Sequence, residues 1–390
     1  MRTGKLAGVI LAALIAAAMM RIPVYAAPAA AGGIQTEEQD ETGVSLDYSE
    51  IDAALGKLGE DSNVSFSELV AGMVSGNMEI SVGTILNYIS DKIFSELALN
   101  QAMMFQIIGI ALIGALFTNF SAAFAKKYVA ETGFYLTYMI VFALLAASFL
   151  SALTIAQDVT GQLIGLMKVI IPAFCMALTL SLGITTSGAF YEVMMIAVIV
   201  IDWLIANFII SFIKIYVVLS LVNHMTKEDY LSKMADLLHV IISWTLKTIM
   251  AVTLGINLIQ GLVLPAFDSI KNGLFAKVGS VIPGLGGAFS MAAKAAIGSG
   301  VLLKNAVGTA GVVVLCIVCA VPLLKLLLIV LMYKLMEAVL QPVSDERLTA
   351  CVHDAGEGIL LLFKSAGTVI LLFVLSLAMI TSSSNMMMSV

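Results

Sequence analysis

The residues of this chain best placed to do chemistry are charges set inside apolar runs. Glu192, Asp202 and Lys214 fall in the stretch 190–222, Lys325 and Lys334 in 306–340, and Lys247 and Lys364 in the first turns of 240–264 and 358–380. A charge in hydrocarbon is costly unless it is paired, hydrated or able to reach the interface. These positions therefore read in one of two ways. They line a polar path or docking seam, or they are lysines reaching for the interface and an acid paired to a neighbour. Glu192 and Asp202 stand ten residues apart, within about 80° of each other around a helix. Lys214, twelve residues beyond Asp202, lies at about 120° from it, so the three need not form one stripe. Asp202 sits near mid-helix, so Asp202→Asn is expected to impair function more than Lys364→Gln.

No catalytic, cofactor-binding or metal-binding set accompanies these charges. There is no G-x-x-x-x-G-K-[ST] phosphate loop and no H-E-x-x-H pair, which disfavours an intrinsic NTPase or metalloprotease. Pro283-Gly284-Leu285-Gly286-Gly287 lacks the following Lys-Ser/Thr and reads as a tight bend or a close helix contact. His224, His239 and His353 sit in or beside polar turns, where solvation accounts for them better than a metal does. Cys316-x-x-Cys319 lies inside an apolar run, without the solvent-reachable thiolate that redox work needs. The chain reads as a non-enzyme.

The elements that must carry these residues are set by composition. The chain is 60% hydrophobic and 12% charged, far from the balance of a soluble domain. The net charge of −6 has much of its acid between Glu37 and Glu96, and the absence of a basic stripe excludes a nucleic-acid partner. Residues 1–26 read as a signal peptide: Arg2 and Lys5, the apolar run Leu6–Met20, then Val24-Tyr25-Ala26, with cleavage expected after Ala26. Residues 27–100 read as an extracytoplasmic acidic and amphipathic segment, within which 64–100 form two or three short helices outside or on the membrane surface, or a plain spacer. Residues 101–390 read as a multi-span membrane domain, an all-α bundle of seven or eight segments. Clear spans are 105–124, 134–155, 240–264 and 358–380. Segments 169–188, carrying Pro172, and 281–303 either span or re-enter, and 190–222 and 306–340 are long enough to tilt or project.

An internal repeat runs through this domain, near 165–264 and 277–380. Lys168-Val-Ile-Ile-Pro172-Ala-Phe174 resembles Lys277-Val-Gly-Ser-Val-Ile-Pro283, and each leads through a Gly/Ser break into a long hydrophobic stretch. Those stretches end in matching polar turns, Lys227–Ser232 and Ser344–Thr349, each followed by a span with a lysine in the same place, Lys247 or Lys364. Repeats of this kind frame central sites in transport folds. The signal peptide exports residue 27 onward, so the first span runs inward and ends at Lys126-Lys127 in the cytoplasm. Ala125–Met139 resembles a third, partial copy of the polar turn and following span; if the proline segments re-enter, all three polar turns face the cytoplasm, and if they cross, the turns alternate.

The signal peptide, the acidic lead, Lys168-Val-Ile-Ile-Pro172, the Asn223-His-Met-Thr-Lys-Glu-Asp-Tyr230 turn and the Ser344-Asp-Glu-Arg-Leu348 turn together resemble the stage III sporulation protein AE family of endospore-forming bacteria. That resemblance implies a multi-pass protein of the mother-cell membrane surrounding the forespore, in a complex linking the two cells. It implies partners among the other stage III A proteins, including a secretion-type ATPase, and forespore protein Q. It further implies that the complex supports late forespore gene expression as a transport or feeding channel, and it carries no functional residues over. Read without the resemblance, the same features suit a stand-alone secondary transporter or permease of unknown substrate.

Overall fold

A chain surrounded by hydrocarbon must satisfy its backbone donors internally, and helices do this within one segment. In a computed structural model of the chain, the described residues are 48–58, 65–75, 101–102, 104–116, 127–182, 184–225, 230–279 and 286–383. Among them every regular element is helical. The signal-peptide reading, most of the acidic lead, Lys126 and Pro283 fall outside these residues.

The elements are α1 (Ser49–Leu58), α2 (Phe66–Ser75), α3 (Met104–Leu116), α4 (Lys127–Leu182), α5 (Ile184–Trp203), a π-helical turn (Leu204–Ile209), α6 (Ile210–Asn223), α7 (Ser232–Gly279), α8 (Gly286–Leu340) and α9 (Glu346–Ser383). Among the described residues five stretches are long and apolar enough to cross a membrane: Glu131–Thr179, Ser187–Asn223, Ser232–Ile259, Gly298–Leu340 and Glu346–Met379. Several of the expected segments join in single helices among the described residues, and residues 117–124 of the expected span 105–124 lie outside them. Segment 134–155 and residues 169–182 are both parts of α4, which runs through Gln157-Asp158 and Pro172 without a break. Residues 286–303 and segment 306–340 join in α8, whose glycines stay helical. A proline removes one donor but need not end a helix whose freed carbonyls find other partners. At 56 residues, α4 is about 84 Å long against a hydrocarbon core of about 30 Å, so its ends project beyond the apolar layer.

The polar turns meet at one end of the bundle. Near the start of α4, the Tyr138 hydroxyl donates to the Leu221 carbonyl in the last turn of α6 and lies 3.4 Å from Cys351 Sγ near the start of α9. The Arg347 guanidinium stacks 3.6 Å over the Phe134 ring. At the other end Gly308 of α8 meets Phe174 of α4 and Thr381 of α9, while Thr179 Oγ1 and Ser187 Oγ sit 2.8 Å apart across the α4–α5 break. The five long paths therefore run up, down, up, down and up. Pro172 lies inside α4, at the end away from the polar turns, and α8 runs unbroken from Gly286, with Pro283 outside the described residues. The same-side arrangement expected from re-entry is reached by another route.

The central helix is α9, packed by α4, α6, α7 and α8. Small residues allow these approaches. A side chain on Gly358 would collide with Val217, and one on Gly356 would come within 3.0 Å of Tyr333. A π turn at Leu204–Ile209 lies between α5 and α6, and Pro322 lies inside the continuous helix α8.

Two short helices precede the bundle among the described residues, α1 against α4 and α2 against α8. The helix α1 lies in a stretch read from the sequence only as an acidic lead; buried Ile51 and Leu55, four residues apart, were its signal. Asp52 Oδ1 accepts the Phe66 N–H at 2.5 Å and so caps α2. Tyr48 packs edge-on to Phe66 at 5.4 Å, and burial pushes its phenol up to about 12.

Candidate functional site

One face of α9 stays partly open while most of the helix is buried, and its lower half is charged. His353, Glu357 and Lys364 are spaced four and seven residues apart, which stacks them on a single stripe. The last turns of α8 supply Lys334 and Glu337. Lys334 Nζ lies 3.0 Å from Glu357 Oε1 and 3.4 Å from Glu337 Oε2, bridging the two carboxylates. Glu337 Oε1 meets His353 Nδ1 at 2.8 Å. The neighbouring residue on α9, Asp354, takes His224 Nε2 from the end of α6 at 2.8 Å. Consecutive residues of α9 thus hold two different helices. From α7 come His239, whose ring stands 5.8 Å from Tyr216, and Lys247. Lys364 feels the charges of Glu357, Lys247 and Lys334.

This arrangement gathers Lys247 and Lys364, picked out in the sequence by their matching places in the repeat, and adds Lys334. It does not gather the acids. Glu192 is exposed on α5, and Lys214 is exposed on α6. Asp202 pairs with Lys168 of α4 at 3.3 Å, with both side chains about 40% exposed (42% and 40%). Lys325 is half-buried on α8. Glu337, Asp354 and Glu357 were missed because they follow or precede a polar turn and read as solvated ends. The four-residue spacing of His353 and Glu357 was the available signal. Lys304 was also missed: it is fully buried, with Nζ 3.1 Å from the Thr381 carbonyl at the far end of α9. Its surroundings of glycine and alanine gave no pattern for a charge.

Cys316 and Cys319 are free thiols on α8, partly buried and buried. Among the described residues no group of three or more His, Cys, Asp or Glu could hold a metal. Asn257 of α7 donates to Ser376 Oγ of α9 at 2.6 Å, a buried link above the charged stripe. On the other flank of α7, an apolar groove of about 690 Å³ opens against α5, lined by residues such as Val193, Ala197, Val200, Trp244, Thr248 and Val252.

Residues 64–384 match the family described as Stage III sporulation protein AE. A relative of that name from Bacillus subtilis (strain 168) is 27% identical over 335 residues, covering 85% of this chain and 83% of that protein. No solved structure gives a significant match.

Proposed function

Because this chain belongs to the stage III sporulation protein AE family, and is therefore a sporulation protein, we propose that it is a membrane component of the channel complex joining mother cell and forespore. In this reading it lies in the mother-cell membrane surrounding the forespore. It works with the other stage III A proteins, including a secretion-type ATPase, and with forespore protein Q. It performs no catalysis. The complex sustains late forespore gene expression, and this chain contributes a helical frame whose polar end faces the mother-cell cytoplasm. The observation that carries the reading is the family match over nearly the whole bundle, joined to five helices of crossing length. The recurrence of long helix, polar turn and span further supports an origin of the two units by duplication.

Affinity purification from sporulating cells tests the proposal. The chain should bring down the other stage III A proteins, and the purified chain alone in liposomes should move no solute. A chain that purifies alone and drives flux alone is the stand-alone transporter instead.

A further inference from the structure

We infer that the apolar groove between α5 and α7 is a binding site for the acyl tail of a membrane lipid, which packs α7 against the rest of the bundle. Of the five spans, α7 is the least covered. Only 17% of its most apolar stretch is buried within the bundle, against 33% for Ser187–Asn223 and 61% for Glu346–Met379.

The groove is built from two helix faces. Val193, Ala197, Val200 and Leu204 recur at helical spacing along α5, and the lining on α7 runs from Val240 to Ile256. Among the described residues no charged side chain lines it. Thr245 turns its hydroxyl back to its own helix, donating to the Ile241 carbonyl at 2.8 Å, and leaves its methyl for the groove. Val200, Trp244 and Val252, midway along these helices, are 47%, 71% and 54% exposed. The groove therefore opens sideways, where lipid tails stand, and offers a polar group nothing to bind.

Size separates a tail from a helix as the occupant. The lining extends about 17 Å along α5 and about 24 Å along α7. A spanning helix of another protein needs a seam as deep as the hydrocarbon core, about 30 Å, whereas a tail fills one leaflet, about half of that. Spread over the length of the lining, about 690 Å³ is a cross-section of roughly 29–41 Å². A helix about 10 Å across takes about 80 Å². A hydrocarbon tail, with its neighbours about 4 Å away, takes about 16 Å². One tail, or the two of a single lipid, fits where a helix does not. In lipid the gain is packing contact rather than escape from water, since an unfilled gap between two helices forfeits contacts on both.

Tryptophan fluorescence reads the contact. The chain has two tryptophans, of which Trp244 lines the groove, so Trp203→Phe leaves it as the reporter. Titration of this chain in detergent with phosphatidylglycerol carrying brominated tails should quench most of the Trp244 emission and saturate near one lipid per chain. Phosphatidylethanolamine with the same tails should quench alike, because no charge lines the groove. Ala197→Phe with Thr248→Phe, which fills the groove, should abolish the saturable quenching. Leu331→Phe, at an exposed position on α8, should leave it unchanged. Quenching that never saturates, or that survives filling, overturns the inference and means contact with bulk lipid only. Quenching by phosphatidylglycerol alone also overturns it, in favour of a headgroup site. If the filled chain fails to accumulate, a photoreactive residue at Ala197 of the otherwise native chain takes its place, with the same residue at exposed Ile199 as control. A lipid adduct at Ala197 and none at Ile199, from lipid retained through purification, is the expected result. A protein adduct at Ala197, no adduct, or an equal lipid adduct at both positions overturns it.

Discussion

Lys334 holds Glu337 and Glu357 together, so its removal leaves two carboxylates facing each other with one histidine between them. Its side chain is 39% exposed, so solvent screens part of the loss. Lys334→Met should cost about 1 kcal/mol, measured by thermal unfolding in detergent micelles. Lys233→Met, which removes an open pair with Asp236 on α7, should change stability by less than about 0.5 kcal/mol. The ranking of Asp202 above Lys364 reverses in this account. Asp202 has Lys168 as a partner inside the chain, while Lys364, half-buried on the central helix, forms no ion pair among the described residues. Spore yield at equal protein level should therefore fall further for Lys364→Gln than for Asp202→Asn. The lysines were legible in the sequence because the repeat singled them out. Their neighbours Glu337, Asp354 and Glu357 were not, because a charge beside a turn looks solvated until the fold brings three helix ends together. At the amino terminus, sequencing of the membrane-extracted protein should begin at Ala27. A retained Met1 or Arg2 would make the first apolar run an anchor.

At the scale of elements, α9 is held centrally by the absence of side chains. Val217 occupies the space that a Cβ on Gly358 would need, and Val217 is β-branched, with little freedom to turn aside. Gly358→Leu should destabilise the bundle by about 1–3 kcal/mol or more and lower the yield of monodisperse protein. Gly255→Leu on α7, where nothing lies within 4 Å, should leave that yield unchanged. The helical class, the polar turns and the order of long helix, turn and span were readable from apolar periodicity. The joins were not. Pro172 read as a break because local propensity disfavours proline in a helix, yet α4 continues through it. The π turn at Leu204–Ile209 lies in a mostly apolar run and left no local signal.

For the whole molecule, the common end formed by Tyr138, Leu221, Arg347 and Cys351 requires the polar turns to share one side of the membrane. With the four buried or half-buried native cysteines replaced, Tyr230→Cys and Gln341→Cys should react with a membrane-impermeant maleimide from the same side, the cytoplasm. Labelling from opposite sides would restore the alternating topology. The central claim is that this chain acts from the mother cell to keep the forespore active after engulfment. The direct measurement is a late forespore reporter followed in single cells of a deletion strain complemented from a promoter active only in the mother cell. The account predicts a dark forespore in the deletion and restored signal under mother-cell expression. A reporter that stays bright in the deletion, or that returns only when the chain is made in the forespore, would contradict it.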